Sequence, residues 1–192
     1  MKKARKFMLT ANRFVIKAKI NYPNLFQAKS IRGSAAKYSA CLIIPKEDQN
    51  VLEKYRKGLE AAYEAGEKKL AAGKAVPKLE TLHCPLHDGD EEKPGDPVYE
   101  NCFYLNASSR EKPQVVDREL TPITDPSVIY SGCIVNASIT LYAYRTDVSK
   151  GIAAALNGIQ LVKRGERIGW GAKIENEFSA LKEDEDDGEL PF

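Results

Sequence analysis

Alternation of apolar and polar residues over short segments predicts a protein built mostly of β-strands. Residues 12–20 alternate in this way, and residues 133–144 form the clearest strand in the chain. Further strands are predicted at residues 37–44, 99–108, 114–117 and 151–164, the last of them bent near Gly158. Only one segment has helical periodicity, residues 48–72, which Asp48 caps and Gly73 and Pro77 end.

The order of these elements indicates the fold class. Strands follow one another without a repeated strand–helix alternation, which favours an antiparallel barrel over a parallel sheet. A small barrel with one inserted helix is compatible with the OB-fold. We therefore predict a mostly β, OB-fold-like antiparallel barrel over residues 5–170, with the helix inserted after the second strand. Residues 171–192 lack periodicity and are predicted to be a disordered acidic tail.

The charge is divided unevenly along the 192 residues. Residues 1–46 contain eleven Lys or Arg and no acid, whereas residues 175–192 contain eight acids and one lysine. Without that acidic segment, the net charge changes from +2 to +9, since 28 basic and 19 acidic residues remain. This asymmetry is typical of a body that binds a polyanion and an acidic arm that interacts with other proteins. The alternative is that the charges only maintain solubility.

The composition also indicates the cellular compartment in which the protein acts. No apolar run reaches the ~18 residues of a membrane span, and the N-terminus lacks the apolar core of a signal peptide. The four cysteines are therefore expected to be reduced thiols. These features predict a cytoplasmic protein that needs no membrane and no cofactor.

Two predicted strand faces suggest what the polyanion is. The first strand has a basic face, and the strand at 133–144 carries tyrosines opposite its apolar face. Cations that follow phosphates and rings that stack on bases are the parts of a single-stranded nucleic-acid site. The predicted phosphate contacts are Arg13, Lys17, Lys19, Arg110, Lys112 and Lys163, and the predicted base contacts are Tyr104, Tyr142, Tyr144 and Trp170. The alternatives are that Tyr142 and Tyr144 pack under the inserted helix or a loop, and that Trp170 plugs the end of the barrel.

The C-terminus is the most specific local signal. An acidic run ends in Leu-Pro-Phe, and an apolar ring next to a terminal carboxylate suits a small pocket with a neighbouring cation. The predicted partner-binding residues are Asp184, Asp186, Asp187, Leu190, Pro191 and Phe192.

Several segments together carry a resemblance to a known family. The tip resembles the C-terminus of bacterial single-stranded-DNA-binding proteins, and the body resembles a phage OB-fold family of single-stranded-DNA-binding proteins that was formerly a domain of unknown function. The matching stretches lie within residues 10–170, at 37–46, 85–90, 123–126, 130–133, 150–153 and 156–160. The resemblance implies sequence-non-specific coating of single-stranded DNA in phage replication or recombination, without enzymatic turnover, in the bacterial host cytoplasm. Partner proteins would dock on the tip, and a homo-oligomer is left open.

Three other functions compete with this interpretation. His83, Cys84, His87 and Cys102 are potential zinc ligands, but the two well-separated ligand pairs typical of structural zinc are missing. Asp88, Asp90, Glu91 and Glu92 could hold Mg²⁺ in a nuclease, although all four belong to one loop. The third alternative is an adaptor that acts only through its tail.

Overall fold

The alternating segments form seven strands in the computed structural model, which describes residues 10–30, 33 and 35–169. Two of the seven have only three residues each. The strands are β1 (Arg13–Lys29), β2 (Lys37–Pro45), β3 (Leu86–Asp88), β4 (Cys102–Ser109), β5 (Gln114–Val116), β6 (Ile134–Arg145) and β7 (Lys150–Lys163).

Five of these strands close into a barrel. The order in the sheet is β3-β4-β2-β1-β6-β7-β5, and an additional pairing of β4 with β7 closes the ring. The predicted OB-like barrel with one main helix is thereby confirmed. Four of the five neighbouring pairs in the ring are antiparallel, and the closing pair is parallel, with Ala107 opposite Ala154. A closed ring of five strands cannot alternate direction throughout, so at least one neighbouring pair must be parallel.

The predicted helix is α1 (Gln49–Ala71), which packs against β6 and β1. The Asp48 carboxylate accepts a hydrogen bond from Val51 N and caps its first turn, as predicted. Gly66 lies against Ala143, where any side chain would collide with the methyl group. The last turn is held by Arg145, which donates from Nη1 to the Leu70 carbonyl over 2.7 Å. None of the described helices is both long enough and apolar enough to cross a membrane.

The first strand is longer than its alternation predicts. It passes through Pro23 and ends at Lys29, where the sequence indicates a loop. Its pairing with β2 shifts register between Asn21 and Asn24. This shift accommodates Pro23, which has no backbone N–H to donate to the neighbouring strand. Tyr22 has a φ of 48° at this point, in the left-handed region.

A second small core lies outside the barrel. Residues 89–101, which include the short helix α2 (Gly89–Glu92), fold over one end of the outer face of β2 and β4. Tyr99 is part of this segment, so the predicted strand at 99–108 begins only at Cys102. We call this second core the outer cluster, and its buried members are Cys41, Ile43, Tyr99 and Tyr104.

Candidate nucleic-acid interface

The other end of the β2–β4 outer face is open and forms a groove. One depression of about 490 Å³ lies beside β1 and β2, and another of about 690 Å³ lies between β4 and the β6–β7 hairpin. The two share Lys37, Asn106 and Ser108, so they are continuous. We refer to both together as the groove. Its floor includes the polar side chains of Ser39, Asn106 and Ser108.

The tyrosines of β6 lie along one wall of the groove. Tyr142 and Tyr144 face outward, as the alternation predicts, and the Tyr142 side chain is 42% exposed. Their neighbours on β7 are Ala153 and Gly151, which are too small to cover a ring. Tyr144 is partly buried, and its hydroxyl lies 3.1 Å from the Ser149 hydroxyl across the hairpin. The alternative in which both tyrosines pack beneath the helix does not fit this arrangement.

The opposite wall contains a tyrosine that the sequence analysis missed. Tyr22 lines the groove beside β2 and is 69% exposed. Its backbone N–H is held by the Asn21 side-chain oxygen at 2.9 Å and the Ser131 hydroxyl at 3.0 Å. In the sequence, Tyr22 lies between the alternating segment and Pro23, a position that indicates a loop. An aromatic residue where the alternation stops is the signal that could have identified it.

The cations at the groove are partly those predicted. Arg110 is exposed and lines the groove, and Lys112 is exposed two residues further on. Lys29 and Lys37 also line it, although neither was among the predicted phosphate contacts. Arg13 pairs with Thr140 and is therefore a diagonal neighbour of Tyr142, roughly 7–8 Å away between Cα atoms.

The remaining predicted cations lie elsewhere on the barrel. Lys19 and Lys163 both pair with Ile134, and Lys17 pairs with Asn136. From Tyr142 these positions are six to eight residues back along β6, which corresponds to roughly 20–26 Å. These three lysines thus face outward as predicted but do not line the groove.

Tyr104 does not fit its predicted role as a base contact. Its side chain is only 6% exposed because residues 89–101 cover this part of β4. One face of its ring already stacks on His87, with centroids 4.9 Å apart, and the edge of Tyr99 packs against it. Its hydroxyl donates to Glu92 over 2.7 Å, and burial, followed by this carboxylate, raises the pKa of Tyr104 to about 12.

The acidic loop that could have formed a metal site has other partners. Lys46 contacts Asp88 at 2.6 Å and Asp90 at 2.8 Å, and its ammonium lowers the pKa of both carboxyls. Glu92 bonds to Tyr104 and, at 2.7 Å, to His87. Across the described residues, no group of three or more His, Cys, Asp or Glu side chains is placed to hold a metal ion.

These ion pairs give a testable pH dependence of stability. A carboxyl whose pKa is lowered on folding contributes stability above its unfolded pKa, here near 3.8, and loses it as the pH falls through the folded pKa. Replacing Lys46 by glutamine is expected to lower the free energy of unfolding above about pH 5, and this difference should diminish as the pH falls below the unfolded pKa near 3.8. Urea unfolding over this pH range measures it. A difference that stays constant across the range would contradict the assignment, and Lys163→Gln is the control, because Lys163 forms no ion pair with the residues that the structure describes.

Seven predicted site residues fall outside the residues that the structure describes. They are Trp170, Asp184, Asp186, Asp187, Leu190, Pro191 and Phe192.

Comparison with known proteins identifies the family to which the chain belongs. A family model described as "Enterobacter phage Enc34, ssDNA-binding protein" matches residues 13–190, which is most of the chain. The chain belongs to this family. The predicted resemblance to phage single-stranded-DNA-binding proteins is therefore confirmed, and with it the prediction that this member of the Enc34 family is not an enzyme.

Individual relatives agree with the family. Protein p50 of Acyrthosiphon pisum secondary endosymbiont phage 1 is 32% identical over 172 residues, which are 85% of this chain and 90% of the relative. The single-stranded DNA-binding protein from bacteriophage Enc34, solved in complex with ssDNA, has a TM-score of 0.69 at 24% identity and covers 83% of this chain and 90% of its own. The protein gp2.5 of bacteriophage T7, also a single-stranded DNA binding protein, has a TM-score of 0.57 at 17% identity, with coverage of 84% and 96%. These solved structures share the fold of this Enc34-family chain.

Proposed function

We propose that this protein binds single-stranded DNA without sequence preference and coats it during phage replication or recombination. The observation that carries the proposal is the groove, which has exposed tyrosines on both walls and is lined by cations. Rings stack on any base, and cations follow any phosphate, so neither selects a sequence. Membership of a family described as ssDNA-binding supports the same function.

In this proposal, the residues that line or flank the groove have different roles. Bases stack on Tyr22 and Tyr142, and Tyr144 supports the same wall through its contact with Ser149. The phosphates are met by Lys29, Lys37, Arg110, Arg13 and Lys112. Trp170 follows Gly169 directly, and Ile168 packs in the outer cluster beside the groove. Trp170 is two residues beyond Ile168 in the sequence, and the proposal includes it as a base contact.

The acidic C-terminal segment is proposed to recruit partner proteins. Residues 171–192 form this segment, and its contacts are Asp184, Asp186, Asp187, Leu190, Pro191 and Phe192. The partners are replication or recombination proteins with a small apolar pocket and an adjacent cation, because the segment combines acidic side chains with the ring of Phe192.

Binding of labelled oligo-dT across a range of salt concentrations tests the function. Neutralising five phosphates by the cations Lys29, Lys37, Arg110, Arg13 and Lys112 gives a slope of log K against log salt of about −3.5. Absence of binding, or an affinity that does not change with salt, would contradict the proposal. RNA and duplex competitors then measure the preference for single-stranded DNA.

The dependence of binding on salt also gives a prediction for Arg110 alone. Arg110→Ala should reduce the steepness of the salt slope by about 0.7, because one fewer counterion-releasing contact remains. Fluorescence anisotropy with oligo-dT measures the slope. Lys163→Ala removes the same charge at a distance from the groove and should leave the slope unchanged; equal changes in both variants would show that only net charge matters.

A further inference from the structure

The backbone of Tyr22 has a conformation that is unfavourable for an aromatic residue. Its φ of 48° lies in the left-handed region, where the Cβ of any residue other than glycine is crowded by neighbouring backbone atoms. The ring is 69% exposed, so its own packing does not offset this cost. Strained backbone of this kind persists only where the surrounding structure holds it, and it is typical of functional sites.

Side-chain hydrogen bonds hold the peptide groups on both sides of Tyr22. Its N–H donates to Asn21 Oδ1 at 2.9 Å and to the Ser131 hydroxyl at 3.0 Å. Its carbonyl accepts from Asn24 Nδ2 at 3.3 Å. Three side chains thus fix the backbone of a residue whose own side chain is mostly exposed. They determine the direction of the ring, because the Cα–Cβ bond is oriented by the peptide groups on either side of it.

Asn21 connects this backbone to the outer cluster. Apart from tyrosines and cysteines, it has the one buried polar side chain in the part of the chain that the structure describes, with 2% exposed. A buried amide needs partners for its donor and its acceptor. Its Nδ2 donates to the Tyr99 hydroxyl at 3.1 Å, and its Oδ1 accepts from Tyr22 N. Both ends of the amide are therefore used, and one of them is used on Tyr22.

Ser131 belongs to the turn before β6, and backbone hydrogen bonds fix its position there. Gly132 N donates to the Ile20 carbonyl at 2.8 Å, so the turn lies directly against β1. On its other side, the Ser131 carbonyl accepts from Ile168 N at 2.9 Å. The Ser131 hydroxyl is thereby held beside the strained residue of β1. This turn is also one of the stretches that carry the family resemblance, residues 130–133.

We propose that Ser131 and Asn21 are positioning residues for DNA binding, which hold the ring of Tyr22 in the direction that stacks on a base. This inference rests on the proposed function, because it takes the ring as a base contact. A ring that is already oriented loses less conformational freedom when DNA binds. The apparent affinity falls in proportion to the fraction of molecules in the competent conformation, so loss of either bond weakens binding.

Ser131→Ala removes one acceptor from Tyr22 N and changes no charge. About a third of the molecules should then retain the stacking conformation, which weakens binding of oligo-dT about threefold. The slope of log K against log salt should stay the same, because no phosphate contact is lost. Ser138→Ala is the matched control, since it removes a hydroxyl from the outer face of β6 opposite Val15, and it should bind like the original protein.

A double-mutant cycle with Tyr22→Ala separates positioning from other roles. A positioning residue acts only through the ring, so Ser131→Ala should cause no further loss of affinity in the Tyr22→Ala protein. If Ser131 contacted DNA directly, or if its loss disturbed the whole groove, binding would weaken about equally in both backgrounds, and the proposal would be overturned. Asn21→Ala should follow the same rule. It also loses the bond to Tyr99, so its melting temperature is measured in parallel and Ser131→Ala is the decisive variant.

Hydrogen exchange of the Tyr22 amide, followed by NMR, tests the positioning without DNA. Its N–H is bonded twice in the free protein, so exchange should become roughly threefold faster in Ser131→Ala. Unchanged exchange would show that Ser131 does not hold Tyr22, even if oligo-dT binds. Faster exchange with unchanged affinity would show a purely structural role. Faster exchange in a protein that does not bind oligo-dT at all would instead refute the proposed function, so the two failures are distinguishable.

Discussion

Tyr142→Ala is expected to weaken binding of single-stranded DNA by roughly 5- to 140-fold, which corresponds to about 1–3 kcal/mol for one stacked base. Tyr142 is the exposed ring on the β6 wall, and its small neighbour Ala153 leaves it uncovered. The slope of log K against log salt should stay unchanged, because a neutral ring releases no counterion. Anisotropy titrations with oligo-dT at several salt concentrations provide both quantities.

Conservative replacement separates the ring from the hydroxyl. Tyr142→Phe retains the stacking surface and should bind within about twofold of the original protein. Tyr22→Ala on the opposite wall should produce a loss similar to that of Tyr142→Ala, and Tyr22 was not identified from the sequence. If Tyr142→Phe lost as much affinity as Tyr142→Ala, a hydrogen bond rather than stacking would be responsible. If neither alanine variant changed the affinity, DNA would not lie in the groove.

Gly151→Ala is expected to lower the free energy of unfolding by about 2–4 kcal/mol. Gly151 lies where residues 83–88 pack against β7, and an added Cβ would collide with the backbone oxygen of His83. That oxygen accepts a hydrogen bond from Ile152 N at 2.8 Å, so the collision would disrupt the bond that holds this seam. The melting temperature should fall by about 4–16 °C for a protein of this size.

A glycine on the same strand provides the control for Gly151. A Cβ at Gly158 would lie 3.1 Å from the Gln114 carbonyl oxygen, a contact that a small shift relieves. Gly158→Ala should therefore change the free energy of unfolding by less than about 1 kcal/mol. Thermal unfolding of both variants tests the difference, and equal losses would show that the close approach of His83 is not what requires glycine.

The sequence alone was sufficient to predict features that depend on neighbouring residues in the chain. Period-two alternation predicted the outward position of Tyr142, Tyr144, Lys17 and Lys19, and the cap at Asp48 predicted where α1 begins. A strand reverses its face at every residue, so the side on which a residue lies is a local property.

Features that depend on residues distant in sequence were not predicted. Tyr104 faces outward by the same alternation, yet residues 89–101 fold over it and bury it. Tyr22 lies in a break of the pattern at Pro23, and only the pairing of β1 with β2 shows that the strand continues and exposes the ring beside the groove.

By itself, the sequence determined the β class, the single main helix, the charge asymmetry and the face of each strand residue. Only the tertiary structure decided which outward residues become neighbours. It separated Arg110, Tyr142 and Tyr144 from Lys17, Lys19 and Lys163, because strand register and the closure of β4 on β7 determine these distances. Register and closure arise from contacts between distant segments, whereas alternation arises within each segment, so one basic face in the sequence became two surfaces on the barrel.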